Sequence, residues 1–149
     1  MVILMLVDLM LMETKPTLTI FLGEDNDEDA YFFELAVSQT YPDSQVLRYK
    51  NGAELILELY RIARGRNTLV FLDLAMPLLD GLETLGQIRQ TPSLSHLPIF
   101  ILTASTAKCD IEQSYQAGTD GYIIKPNSTV QLSRLIKPAM EYGINLIAD

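Results

Sequence analysis

Five carboxylates fall within six residues in "LTIFLGEDNDEDA": Glu24, Asp25, Asp27, Glu28 and Asp29. Like charges so close repel and raise one another's pKa unless a cation or a helix terminus absorbs them. Farther along lie Asp73 in "VFLDLAMPLLDG", Thr103 in "LPIFILTA" and Lys125 in "DGYIIKP", each closing an apolar run. Carboxylates of this kind are the hard oxygen donors Mg²⁺ prefers, in a site that leaves positions for water and a substrate phosphate. The acid cluster then divides in two. Glu24 and Asp25 would face the metal, while Asp27, Glu28 and Asp29 occupy the first turn of the next helix, where the helix dipole favours negative charge.

The elements that must position these groups alternate. "TLTIFL", "SQVLRYK", "TLVFLDL", "LPIFILTA" and "DGYIIKP" are short apolar runs with strand composition. Between them, helical spacing is carried by Ala30, Phe33, Ala36 and Val37, then by Leu55, Ile56, Leu59, Ile62 and Ala63 up to Gly65. Leu82, Leu85 and Ile88 carry the third helix, and "CDIEQSYQAG" reads as a short fourth with a glycine stop. Leu132, Leu135, Ile136 and Ala139 give the last its face, with a kink or early end expected at Pro138. Strict alternation implies a parallel sheet covered on both faces. Ligands of such sheets sit beyond the carboxyl ends of the strands. Glu24, Asp25, Asp73, Thr103 and Lys125 therefore converge on one rim.

Composition narrows the field. The chain has 149 residues, one domain's worth, and carries 19 Asp and Glu against 11 Lys and Arg, a net charge of −8. That balance disfavours nucleic acid and anionic membranes as partners. One cysteine, Cys109, excludes an intramolecular disulfide and fits a reducing, cytoplasmic setting. One histidine, His96, in a polar loop, cannot build a zinc site or a Ser–His–Asp relay. "MVILMLVDLMLM" is too short to span a bilayer, is broken by Asp8 and lacks a basic start. Residues 1–16 are read as a loosely attached N-terminal extension, residues 17–143 as the domain and 144–149 as a tail.

Four motifs in order, "GEDN", "DLAMPLLDG", "LTAS" and "YIIKP", resemble those of the receiver domains of two-component response regulators, over about residues 17–142. The resemblance implies a flavodoxin-like (βα)5 sandwich with a five-stranded parallel sheet in the order 2-1-3-4-5. It makes Asp73 the acceptor of a phosphoryl group from a histidine kinase or a phosphotransfer protein. Mg²⁺ would be held by Glu24, Asp25, Asp73 and the backbone carbonyl of Ala75. Lys125 would pair with the phosphoryl oxygens. Thr103 and Tyr122 would form the switch, and the Lys125–Pro126 bond would be cis, as it often is in this family. Gly23 stands where the family usually has an aliphatic residue, which would loosen the acid turn. Ala75 and Ser105 occupy positions that tune the lifetime of the phosphate. With only "INLIAD" after Gly143, a stand-alone regulator is expected, docking to a downstream protein or relaying phosphate, with a homodimer through the fourth- or fifth-helix face. A narrower likeness, to regulators associated with phytochrome-type kinases, rests on "DIEQSY".

Each residue also has a plainer reading. Asp25 could be a helix N-cap, Glu24 and Lys125 solvated charges, Asp73 a turn cap, Thr103 a structural strand end and Tyr122 an outward strand residue. Those readings leave the convergence unexplained. An aspartyl phosphatase of the haloacid dehalogenase type needs a second Asp where Ala75 stands. A flavin site needs a neutral Ser/Thr/Gly loop after the first strand. An EF-hand needs Gly and Glu where Ala30 and Ala36 stand. A non-phosphorylated pseudo-receiver, acting only as an interaction module, is the remaining alternative.

Overall fold

A computed structural model of the chain describes residues 2, 3, 5, 6, 17–62 and 67–148. Five strands, β1 (Thr19–Gly23), β2 (Gln45–Tyr49), β3 (Thr68–Leu72), β4 (Ile99–Thr103) and β5 (Gly121–Ile124), alternate with five helices. These are α1 (Asp27–Thr40), α2 (Gly52–Ile62), α3 (Gly81–Gln90), α4 (Lys108–Ala117) and α5 (Thr129–Ala148). All strand pairs are parallel, in the order β2-β1-β3-β4-β5. This is the flavodoxin-like receiver fold the motifs imply.

The central strands β3 and β4 are buried at every residue, as expected of a sheet covered on both faces. Alternate side chains feed two cores. One joins Ile20, Leu22, Phe71, Phe100 and Leu102 to Phe33 and Val37 of α1 and to Leu132, Ile136 and Met140 of α5. The other joins Phe21, Val70, Leu72, Ile99 and Ile101 to Leu55 and Leu59 of α2 and to Leu85 and Ile88 of α3. Burying side chains of this size is worth roughly 1.5–3 kcal/mol each. The sheet is thereby held rigid beneath its carboxyl-end loops.

Helix starts at that rim are set by side chains. Asn26 caps α1, its Oδ1 accepting from Asp29 N at 2.9 Å. Asp80 caps α3 in a reciprocal box with Glu83. The opposite end of the sheet is tied by Arg89, whose guanidinium donates to the carbonyls of Gly118, Ser95 and Leu97 and to Asp120 Oδ2. The same Asp120 oxygen accepts from Ile99 N.

Three local expectations change. The last helix does not stop at Pro138: α5 runs to Ala148, so residues 144–148, expected as a tail, are its final turns. Met140 and Gly143 are buried beyond the proline, and that packing outweighs one missing N–H. Gly143 allows the close approach, since a Cβ there would lie 2.5 Å from Leu69 Cδ2. Leu135, assigned to the buried face, is instead exposed, as is Ile62 at the end of α2. Ala63 and Gly65 lie outside the described residues. So does most of the N-terminal extension, of which Val2, Ile3, Met5 and Leu6 are described and exposed. His96 and Cys109 are both exposed.

Candidate functional site

Strand β1 delivers Glu24 and Asp25, and strand β3 delivers Asp73. One carboxylate oxygen from each can be chosen so that all three lie within 4.8 Å of one another. Asp73 N–H donates to the Gly23 carbonyl at 2.9 Å, which extends the β1–β3 pairing by one residue and sets the two acidic turns side by side. Glu24 and Asp73 are buried and Asp25 is exposed. The expected N-terminal acids also fall into place. Asp27, Glu28 and Asp29 form the first turn of α1, and the cap is Asn26, not Asp25.

Asp73 opens a tight turn. Its Oδ1 accepts from Ala75 N at 3.2 Å, and Gly81 N–H returns to the Leu74 carbonyl at 3.0 Å. A Cβ on Gly81 would strike the Asp73 carbonyl oxygen, so only glycine lets α3 start this close to the acid. Ala75 is thereby held on the same turn.

Lys125 closes the site from β5. Its Nζ stands 2.5 Å from Glu24 Oε1, 2.7 Å from Asp73 Oδ2 and 2.9 Å from Asp29 Oδ2. Its own N–H donates to the Thr103 carbonyl at 2.8 Å, so β4 aims it. The Lys125–Pro126 bond is trans; among the described residues no peptide is cis. Aim thus comes from the strand pairing and the three carboxylates.

Burial alone would lower the Lys125 pKa, but the hydrogen bonds to Asp73, Glu24 and Asp29 override it and hold the ammonium above its ordinary value. Burial pushes Glu24 up from 4.5 to about 7; the Lys125 hydrogen bond opposes this and neighbouring Asp73 adds to it. A carboxyl raised in the folded state contributes stability that is complete below pH 4.5 and lost as pH rises through about 7. The metal-free protein should therefore weaken across that window, relative to Glu24→Gln, by on the order of 1–3 kcal/mol. Urea midpoints at a series of pH values in a chelator check this. Parallel curves for the two proteins would refute it.

The expected switch pair lies at the edge of this cluster. Thr103 is buried at the end of β4, its Oγ1 3.5 Å from Ser105 N. The Tyr122 hydroxyl donates to the Ser105 carbonyl at 2.9 Å, and Ser105 Oγ donates to Asp110 Oδ2 in the first turn of α4. Tyr122, Ser105 and α4 are thus one connected unit. Ser114 is the only fully buried residue in α4, so that helix rests lightly on the core.

Two contributors escape the sequence reading. Asp29 does more than satisfy the dipole of α1, since it is a third carboxylate on Lys125. Arg48 of β2 donates from Nε to the Glu24 carbonyl at 2.9 Å and pairs with Asp27 Oδ1 at 2.8 Å. The one available signal for it was an arginine inside the apolar run "VLRY". The donor set suits a hard divalent cation: carboxylate oxygens from two strands, with solvent access at Asp25 for water ligands.

Comparison with known proteins agrees with this geometry. The family model described as "Response regulator receiver domain" matches residues 24–137. The response regulator Rcp1 of Synechocystis is 26% identical over 139 residues, 91% of this chain and 95% of that protein. The phosphorylated cyanobacterial phytochrome response regulator RcpA superposes with a TM-score of 0.76 at 30% identity, covering 86% of this chain and 94% of its own. The receiver domain of the sensor histidine kinase PA1611 of Pseudomonas aeruginosa has a magnesium ion coordinated in its active-site cleft. It superposes with a TM-score of 0.69 at 25% identity, covering 84% and 98% of the two chains.

Proposed function

Since this chain belongs to the response regulator receiver family of two-component signalling, we propose that Asp73 is its phosphoacceptor, in a Mg²⁺-dependent transfer from a histidine kinase or a histidine phosphotransfer protein. The observation that carries the reading is the Asp73 carboxylate, buried, 2.7 Å from Lys125 Nζ and grouped with Glu24 and Asp25. Asp73 would form an O–P bond as the N–P bond of the donor phosphohistidine breaks and the imidazole leaves. Glu24, Asp25, Asp73 and the Ala75 carbonyl would hold the Mg²⁺, which when bound supplies charge neutralisation for an anionic phosphoryl group. Lys125, already charged, turns one donor from its carboxylates to the phosphoryl oxygens. Thr103 hydrogen-bonds them from β4.

The response then follows from the contacts around Ser105. Movement of Thr103 pulls on the turn that Tyr122 and Asp110 both grip, and α4, with little buried surface, is the element free to shift. A downstream protein, or a second copy of this chain, would read that surface. The excess of acid argues against nucleic acid as the target. The single cysteine fits a reducing compartment, and we place the transfer in the cytoplasm; separately, no described helix is long and apolar enough to cross a membrane.

The test is intact-protein mass spectrometry after incubation with acetyl phosphate, with and without Mg²⁺. One added phosphoryl group, dependent on the metal, is expected. A folded, metal-loaded protein that takes no phosphate from acetyl phosphate or from a phosphorylated kinase would favour the pseudo-receiver. Release of many equivalents would point to a phosphatase.

A further inference from the structure

Both backbone groups of Glu24 are tied to β2. Its N–H donates to the Tyr49 carbonyl at 2.9 Å, and its carbonyl accepts from Arg48 Nε at 2.9 Å. The same guanidinium reaches across to Asp27, the first residue of α1, from Nη1 at 2.8 Å. Arg48 therefore brackets residues 24–27, the turn that presents Glu24 and Asp25. The residue before that turn is Gly23, which brings no side chain to restrict it; the space a Cβ would need is filled by Leu72 and Met76. A cation beside a helix N-terminus works against the dipole of α1, and Arg48 Nη2 is buried with no acceptor among the described residues. Helix stability is a poor account of this arginine. Holding the turn is a better one.

We propose that Arg48 is the positioning residue for the metal-binding turn: its planar fork fixes the Glu24 peptide against α1 and so presets Glu24 and Asp25 for the cation. This rests on the Mg²⁺-dependent reading above and adds to it a residue that touches neither metal nor phosphate. The fork matters because a guanidinium holds two acceptors in one plane, whereas an ammonium is a point charge on a flexible stem.

Charge and geometry make opposite forecasts. Removing a positive charge that sits on the backbone of a metal-binding turn should tighten metal binding by Coulomb's law. Releasing the turn should weaken it, by about 10- to 100-fold on the scale seen when groups that orient metal ligands are lost. The experiment is calorimetric titration with Mg²⁺ of the wild type, Arg48→Ala, Arg48→Lys and Asp25→Asn, each also unfolded by urea in a chelator. We expect both Arg48 variants to bind at least tenfold more weakly. Arg48→Lys keeps the stem and the charge, so it reads the proposal even if Arg48→Ala fails to fold. Wild-type affinity in Arg48→Lys, or equal or tighter binding in Arg48→Ala, would overturn the proposal. Failure of the underlying reading looks different: the wild type would bind no Mg²⁺, or Asp25→Asn would bind as well as wild type.

Discussion

Asp73→Asn is expected to take up no phosphate from acetyl phosphate, a loss of about 10³-fold or more in rate, while the protein stays folded. The amide keeps the Oδ1 acceptor for Ala75 N–H, so the turn survives. What it loses is the anionic oxygen that faces Lys125 at 2.7 Å. Removing one charge from a group that also contains Glu24 and Asp25 relieves repulsion, so the urea midpoint in a chelator should hold or rise. Intact-mass measurement on the two proteins side by side reads the labelling. A phosphoryl group that persists in Asp73→Asn would move the acceptor elsewhere and remove the role assigned to this residue.

Lys125→Ala should damage both stability and chemistry. Its ammonium is the direct partner of Glu24, Asp73 and Asp29, and two of those carboxylates are buried. Breaking such a network from the cationic side strands negative charge in the interior, which costs about 3 kcal/mol, softened because Glu24 can take up a proton. Mg²⁺ should restore part of that loss, since it neutralises the same oxygens. Labelling should not recover with it. Without a cation for the incoming phosphoryl group, the rate should fall by about 10²–10³-fold even at saturating metal. Urea unfolding with and without Mg²⁺, alongside the labelling time course, separates the two effects. Equal stability in the chelator would mean that the three carboxylates do not depend on Lys125.

Much of this was legible in the chain because parallel α/β order converts sequence position into place. An apolar run followed by Glu24, Asp73, Thr103 or Lys125 had to put that residue at the carboxyl rim, whatever the details of packing. What escaped were side chains whose partners lie far along the sequence. Asp29 reads locally as an acid in a first helical turn, and nothing in its neighbours reports a lysine 96 residues away. Arg48 reads as a solvated charge in a strand until the strand order places it beside the acid turn. The far end of α5 was misjudged for a related reason. Proline is a local signal, and the packing of Met140 and Gly143 against the sheet is not.

The clamp built by Arg89 bears on how the molecule divides its motions. At the amino ends of β4 and β5 one guanidinium holds three carbonyls and a carboxylate. Beyond the carboxyl ends, Tyr122 is joined to Ser105, and Ser105 to Asp110 of α4, by one hydrogen bond each. Amide hydrogens should record the asymmetry as a gradient of exchange along each strand, slow at the pinned end and faster towards the rim. Were Asp73 phosphorylated as proposed, the resulting change would have one direction in which to travel. The end pinned by Arg89 would resist it, and the displacement would pass outward into α4 and the surface around it.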